Sequence, residues 1–145
     1  MKKLLLLANI LVISVGLFAQ GQTSPEVVKF KEIKYDFGKI KQNVPATHDF
    51  TFTNVSDGPV VIESTVASCG CTTPVKPEGA IPKGKTEKIT ASYNAVAAGP
   101  FNKTITVKIA GQTQPIQLNI TGEVLTADAY AKFVSEKQKT VKTGS

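Results

Sequence analysis

The chain reads as an all-β protein, an immunoglobulin-like antiparallel β-sandwich of about seven strands. Three observations predict this. Apolar and polar residues alternate with period two over segment after segment, as strands with one buried and one wet face require. Short clusters of Gly, Pro, Asn and Asp separate those segments. No helical period appears before residue 126, so nothing is available for the crossovers of a parallel sheet.

In order, Lys2 and Lys3 precede an apolar run from Leu4 to Ala19, broken by Asn9, Ser14 and Gly16. A charged start and a short apolar stretch predict a secretory signal peptide over residues 1–19, cut after Ala19. The run is short and interrupted for a membrane span. Leu17 at the minus-three position is not ideal for cleavage, which keeps an uncleaved anchor as the alternative. The mature chain is then exported, to the periplasm or beyond, with no membrane span. Its length of about 125 residues is one domain's worth and buries roughly two thirds of its unfolded surface.

Residues 20–27 form a polar leader, and the sandwich is expected over 28–125. Val28 and Phe30 alternate with Lys29 and Lys31. The apolar phase then shifts at Glu32 to Ile33, Tyr35 and Phe37, which predicts an edge strand with a bulge. Ala46, His48, Phe50 and Phe52 share one face of the next strand, and Asn54 to Pro59 supplies a turn. Val60, Ile62, Ser64 and Val66 define a third strand. After a cysteine loop and a Pro/Gly-rich connection (Pro77 to Gly84) come Ile89, Ala91 and Tyr93. Phe101, Ile105, Val107 and Ile109 follow, then a hairpin into Ile116, Leu118, Ile120 and Val124. In the final segment, 126–145, Ala127, Tyr130, Ala131 and Val134 sit at helical spacing. It is either a short helix or a basic solvated tail, because isolated helices of this length are marginal.

The formal charge of +6 is carried by lysines alone, without one arginine. Nucleic-acid and phosphate sites lean on the arginine fork, so no nucleic-acid partner is expected. Weak attraction to anionic envelope surfaces fits better. There is no tryptophan, and the two cysteines share one loop. The core must therefore hold by packing alone.

Candidate chemistry sits at Ser68-Cys69-Gly70-Cys71-Thr72-Thr73-Pro74. A Cys69–Cys71 disulfide closes so small a loop that chain entropy gives only about 1.6 kcal/mol, against about 3 for fifteen residues. Off-ideal geometry at this spacing consumes that gain. Gly70 is expected to supply the backbone freedom that the turn needs, and Pro74 to shape the loop's exit. Three readings stay open: a structural bridge or pair of semi-buried thiols, a reducible redox pair, or a soft-metal site. The last would use Cys69, Cys71 and His48, one ligand short of the usual zinc set. His48, in phase with Phe50 and Phe52, also reads as a partly buried histidine capping the core. Ser68 has no base near it in sequence, and the acids are scattered, so no catalytic residues, enzyme activity or cofactor are expected. Asn-x-Ser/Thr triplets at Asn54, Asn102 and Asn119 carry little weight in a threonine-rich strand protein.

Several stretches together resemble family 1573 of the domains of unknown function, small exported bacterial proteins. They are Tyr35-Asp36-Phe37-Gly38-Lys39-Ile40, His48-x-Phe50-x-Phe52-Thr53-Asn54, the cysteine loop, Ile81-Pro82-x-Gly84, Gly99-Pro100-Phe101-Asn102-Lys103 and Ile120-x-Gly122-x-Val124. The resemblance runs from about Phe30 to Leu125 and leaves the C-terminal tail outside. It implies an immunoglobulin-like sandwich similar to major-sperm-protein and pilus-chaperone domains, and an exported location, but no activity. The function expected is a non-enzymatic module that binds a protein or an envelope component. Thiol–disulfide or soft-metal chemistry at the cysteine loop is the alternative.

Overall fold

The computed structural model describes residues 26–143; the expected signal peptide and most of the polar leader lie outside them. Four strands form one sheet in the order β1 (Val28–Phe30), β3 (Ala46–Asn54), β7 (Thr86–Tyr93), β5 (Thr72–Val75). Five form the other in the order β2 (Lys34–Lys41), β9 (Ile116–Leu125), β8 (Gly99–Ile109), β4 (Val60–Ala67), β6 (Ala80–Ile81). All pairings are antiparallel except β2 with β9. The sandwich is as the alternation predicts. The count of nine exceeds the sequence reading because β5 and β6, at four and two residues, are too short to show a period.

Alternation places the inward residues correctly along most strands. Phe50, Phe52, Ile89, Ala91, Ile105, Val107, Leu118 and Ile120 are all fully buried. Burying a side chain of the larger types contributes about 1.5–3 kcal/mol. Aromatic rings tie the two sheets together. Tyr35 of β2 stacks on His48 of β3, with ring centroids 3.5 Å apart and planes within 7°. Phe101 of β8 stacks on Tyr93 of β7 at 4.1 Å. Phe37 sits edge-on to Tyr35 and lies 6.3 Å from Phe101, linking the two stacks.

Two sequence expectations are corrected here. The phase shift at Glu32 is not a bulge within one edge strand. It marks the passage of the chain from one sheet to the other, because β1 pairs with β3 whereas β2 pairs with β9. Val66, expected inside with Val60 and Ile62, is 61% exposed. The β4–β8 register slips between Ile62 and Ser64, and an extra residue in a period-two element turns everything beyond it over.

The C-terminal segment is helical, α1 (Ala127–Thr143). Thr126 caps it, its Oγ1 accepting from Ala129 N at 3.4 Å, and Asp128 lies in the first turn. Both suit the positive end of a helix. The half-buried stripe is Tyr130, Phe133 and Val134; Ala127 and Ala131, expected on that face, are exposed. Phe133 supplies the apolar bulk that the sequence reading overlooked. Among the described residues no helix is long and apolar enough to cross a membrane.

Candidate functional site: the disulfide turn and the open edge of β4

The cysteine motif is the crossing between sheets at one side of the sandwich, leading from β4 to β5. Ser68 fastens its start: Ser68 N donates to Thr104 O at 2.9 Å, and Ser68 Oγ accepts from Thr104 N at 3.2 Å. Thr72 N then donates to Cys69 O at 3.3 Å, closing a four-residue turn, and Asn94 N donates to Cys71 O at 3.0 Å. Cys69 and Cys71 are joined as a disulfide, their Cα atoms 5.3 Å apart. Both are half-buried, and Cys71 packs against the core. Thr72, 4% exposed, seals the turn from below.

This geometry reassigns three of the expected site residues. Gly70 is not at positive φ, and a Cβ built on it would meet nothing within 4 Å. The turn therefore makes no demand that only glycine meets. Pro74 is not a loop residue but part of β5, where the ladder fixes its meaning. Because Asn94 N bonds Cys71 O, the alternating pairs leave Pro74, opposite Ala91, with its nitrogen turned away from β7. A proline is tolerated at just such an edge position.

His48 is held elsewhere. It lies on β3, two strands from β5, stacked on Tyr35 and with Nε2 3.1 Å from Glu32 Oε1. The two sulfurs are spent on each other. The three-ligand metal set of Cys69, Cys71 and His48 is thus not assembled, and among the described residues no other group of three such ligands occurs. The core-capping reading of His48 fits what surrounds it. On the outer face of the same sheet, Asp49 accepts from Lys88 Nζ and from Thr90 Oγ1, each at 2.6 Å. Those bonds, Lys88 first, hold its carboxyl below the usual value. The stabilisation is therefore present at neutral pH and fades only as the pH falls through that lowered value.

Exposed strand edges are expected of such a sandwich, but the sequence does not locate the one beside the turn. Each sheet has two edges, and three of the four are blunted. β1 has only three residues. β2 carries exposed Lys34, Lys39 and Lys41 and a bulge between Asp36 and Lys39. On β5 the outward Thr72 N is engaged by Cys69 O, and Pro74 has no N–H to offer. Lysines, prolines, bulges and short strands are the usual guards of a sheet edge. On the fourth edge β6 covers only Val60 and Val61 of β4. From Ser64 onward β4 bonds to β8 alone. Since Ser68 N points to Thr104, the N–H and C=O groups of Thr65 and Ala67 point outward. Exposed Val66 lies between them on β4, and exposed Val75 ends β5 across the turn.

The class defined by this architecture is a single immunoglobulin-like sandwich of the PapD-like kind. The chain belongs to DUF1573, the family described as protein of unknown function, whose profile matches residues 28–124. Among curated proteins none matches the chain. Solved structures share the fold. A protein of unknown function from Porphyromonas gingivalis W83 is 16% identical with a TM-score of 0.59, over 67% of this chain and 46% of that one. This chain thus spans less than half the length of that protein. The ASH/PapD-like domain 7 of human CEP192 is 7% identical with a TM-score of 0.53, over 70% and 87%. A family 123 glycoside hydrolase from Clostridium perfringens is 11% identical with a TM-score of 0.55, over 65% and 23%. At such identities the likeness concerns the fold alone.

The turn's hydrogen bonds imply that the bridge is not what holds it. A Cys69→Ser/Cys71→Ser variant is expected to stay folded and to lose no more than about 1.6 kcal/mol in urea denaturation, the entropy of so small a loop. A loss above about 3 kcal/mol would make the disulfide a principal staple of the domain.

Proposed function

We propose that this domain is a non-enzymatic, exported binding module that takes an extended segment of a protein or envelope partner onto the free edge of β4. The observation that supports the reading is the contrast between the edges: three are guarded, and the stretch Ser64–Ala67 is not. An added strand gains main-chain bonds to Thr65 and Ala67 and side-chain contact with Val66, the ordinary mode of strand addition. The disulfide turn ends the edge and fixes its distance from β5. It has the role of a fence, keeping the incoming strand on β4.

The test separates this edge from a generic sticky surface. A photoreactive residue at position 66, in protein expressed in its own compartment, is expected to cross-link a discrete partner. The same probe at Lys108, on the outer face of β8, is expected not to. Thr65→Pro deletes an outward N–H that bonds nothing within the domain. It should abolish the position-66 cross-link and leave the melting temperature within about 3 °C. Persistence of the cross-link in Thr65→Pro sinks the proposal.

A second reading, thiol–disulfide exchange at Cys69–Cys71, is favoured by one observation, that the half-buried bridge spans a single residue. It predicts ready opening by millimolar glutathione at pH 7, read as a two-dalton mass gain after alkylation is accounted for. A bridge unchanged after hours under those conditions eliminates it.

A further inference from the structure

On the opposite side of the molecule from the β4 edge, α1 leans on β2 without closing on it. The cleft between them has a volume of about 730 Å³ and is lined by Phe37, Gly38, Lys39 from β2 and Tyr130, Phe133, Val134, Lys137, Gln138 from α1. That is within the usual range of small-molecule sites, roughly 300–1,000 Å³. The floor is aromatic and aliphatic, supplied by Phe37, Tyr130, Phe133 and Val134. The two charged groups of the lining are ammonium groups, and the lining holds no carboxylate. Lys39 Nζ stands over the Phe133 ring, 5.1 Å from its centroid, so a positive charge borders the apolar wall.

A bulge interrupts β2 beside this cleft. Between Asp36 and Lys39 the β2–β9 register slips, with Gly38 at φ 64° and its N–H donating to Asp36 Oδ1 at 2.9 Å. The extra residue reverses the strand's phase, so Ile40 takes the half-buried face and Lys39, which regular alternation would align with Phe37, is exposed; Phe37 and Lys39 both line the cleft. The helix follows β9 through the single residue Thr126, and Tyr130, Phe133 and Val134 form its half-buried stripe at the cleft. A helix of this length held by so narrow a stripe gains from anything that fills the gap under it.

We propose that the cleft binds a monomeric anionic amphiphile, with an alkyl chain against Phe37, Tyr130 and Phe133 and a carboxylate held between Lys39 and Lys137. Complementarity supports this occupant: an apolar floor selects the chain, and two ammonium groups in a lining without a carboxylate select the head. A neutral amphiphile satisfies the floor and leaves the rim unpaired. A hydrophilic anion satisfies the rim alone, where exposed ammonium groups bind weakly.

The experiment uses the full mature chain and lauric acid below its micelle concentration, with binding followed by titration calorimetry and by exchange protection of α1 amides. The expected result is one-to-one binding, with protection rising at Tyr130 to Val134. Lys39→Glu/Lys137→Glu should weaken laurate binding at least tenfold and leave dodecanol binding within twofold, since Phe37, Tyr130, Phe133 and Val134 all remain. Vesicles of phosphatidylglycerol form the second arm. Binding to vesicles without binding to monomeric laurate overturns the proposal in favour of a membrane-surface role. Equal laurate affinity in the wild type and the double variant also overturns it. A Phe133→Ala variant that keeps its helical signal but still binds laurate with wild-type affinity does the same. None of these outcomes depends on the β4 edge.

Discussion

Replacing Asn54 by alanine is expected to remove about 3 kcal/mol of stability, lowering the melting temperature by roughly 10 °C. Asn54 is 1% exposed, a buried polar side chain at the end of β3. Its Nδ2 donates to Gly58 O and to Ile81 O, both at 2.8 Å, and its Oδ1 accepts from Ser56 N at 2.9 Å. One side chain thus folds the β3–β4 turn back and pins β6 to it. In the alanine variant Gly58 O retains Ser56 Oγ at 2.8 Å. Ile81 O keeps its place opposite Val60 in the β4–β6 ladder, but Ser56 N keeps no such substitute, and an unsatisfied buried group costs about 1–3 kcal/mol. Because β6 is the strand that covers Val60 and Val61, its loosening should also raise amide exchange there. A loss below about 1 kcal/mol would mean that water satisfies Ser56 N and that Asn54 is a surface turn residue in effect.

Gly122→Ala is expected to cost about 2–3 kcal/mol, the scale of overpacking in a filled core. A Cβ at this position would lie 2.8 Å from Cε1 and Cζ of Phe101 and 2.9 Å from Gly38 O. Neither neighbour can yield cheaply. Phe101 is stacked on Tyr93 at 4.1 Å, and Gly38 belongs to the bulge of β2. The backbone of β9 must approach Phe101 this closely for β2 to pair beside it. Gly58→Ala is the matched control, since a Cβ there meets nothing within 4 Å and the residue is not at positive φ. Chemical denaturation of the two variants should separate them by at least about 1.5 kcal/mol. Equal stabilities would show that Phe101 shifts freely.

These two residues also show how far a sequence can be read. Both belong to stretches that carried the family resemblance, Phe52-Thr53-Asn54 and Ile120-x-Gly122-x-Val124, yet their meaning is non-local. Asn54 matters because Ile81 O arrives from 27 residues away, and Gly122 because Phe101 and Gly38 converge on it. Period-two alternation is a local signal, and it was sufficient for the sandwich and for the inward faces of β3, β7, β8 and β9. It could not tell that β1 and β2 lie in different sheets, because a change of sheet and a bulge displace the apolar phase alike. Nor could it find the free edge, which depends on the order in which strands pair. The cysteines posed a similar limit. Their spacing allowed a structural bridge or thiols, a redox pair or a metal site; the sulfurs are joined to each other, and His48 lies two strands away. Tyr35 and Glu32 hold it away. Gly70 and Pro74 were legible as turn residues by type alone; Gly70 does lie in the turn, without the positive φ expected of it, whereas Pro74 lies in β5.

The edge of β4 is unguarded from Ser64 to Ala67, and native-state amide exchange tests this residue by residue. In the free protein, Val66 and Ser68 point to β8 and should be protected. Thr65 and Ala67 point outward and should exchange at least about tenfold faster than Val66. Uniform protection from Thr65 to Ala67 would mean that the edge is already covered, and would contradict the account.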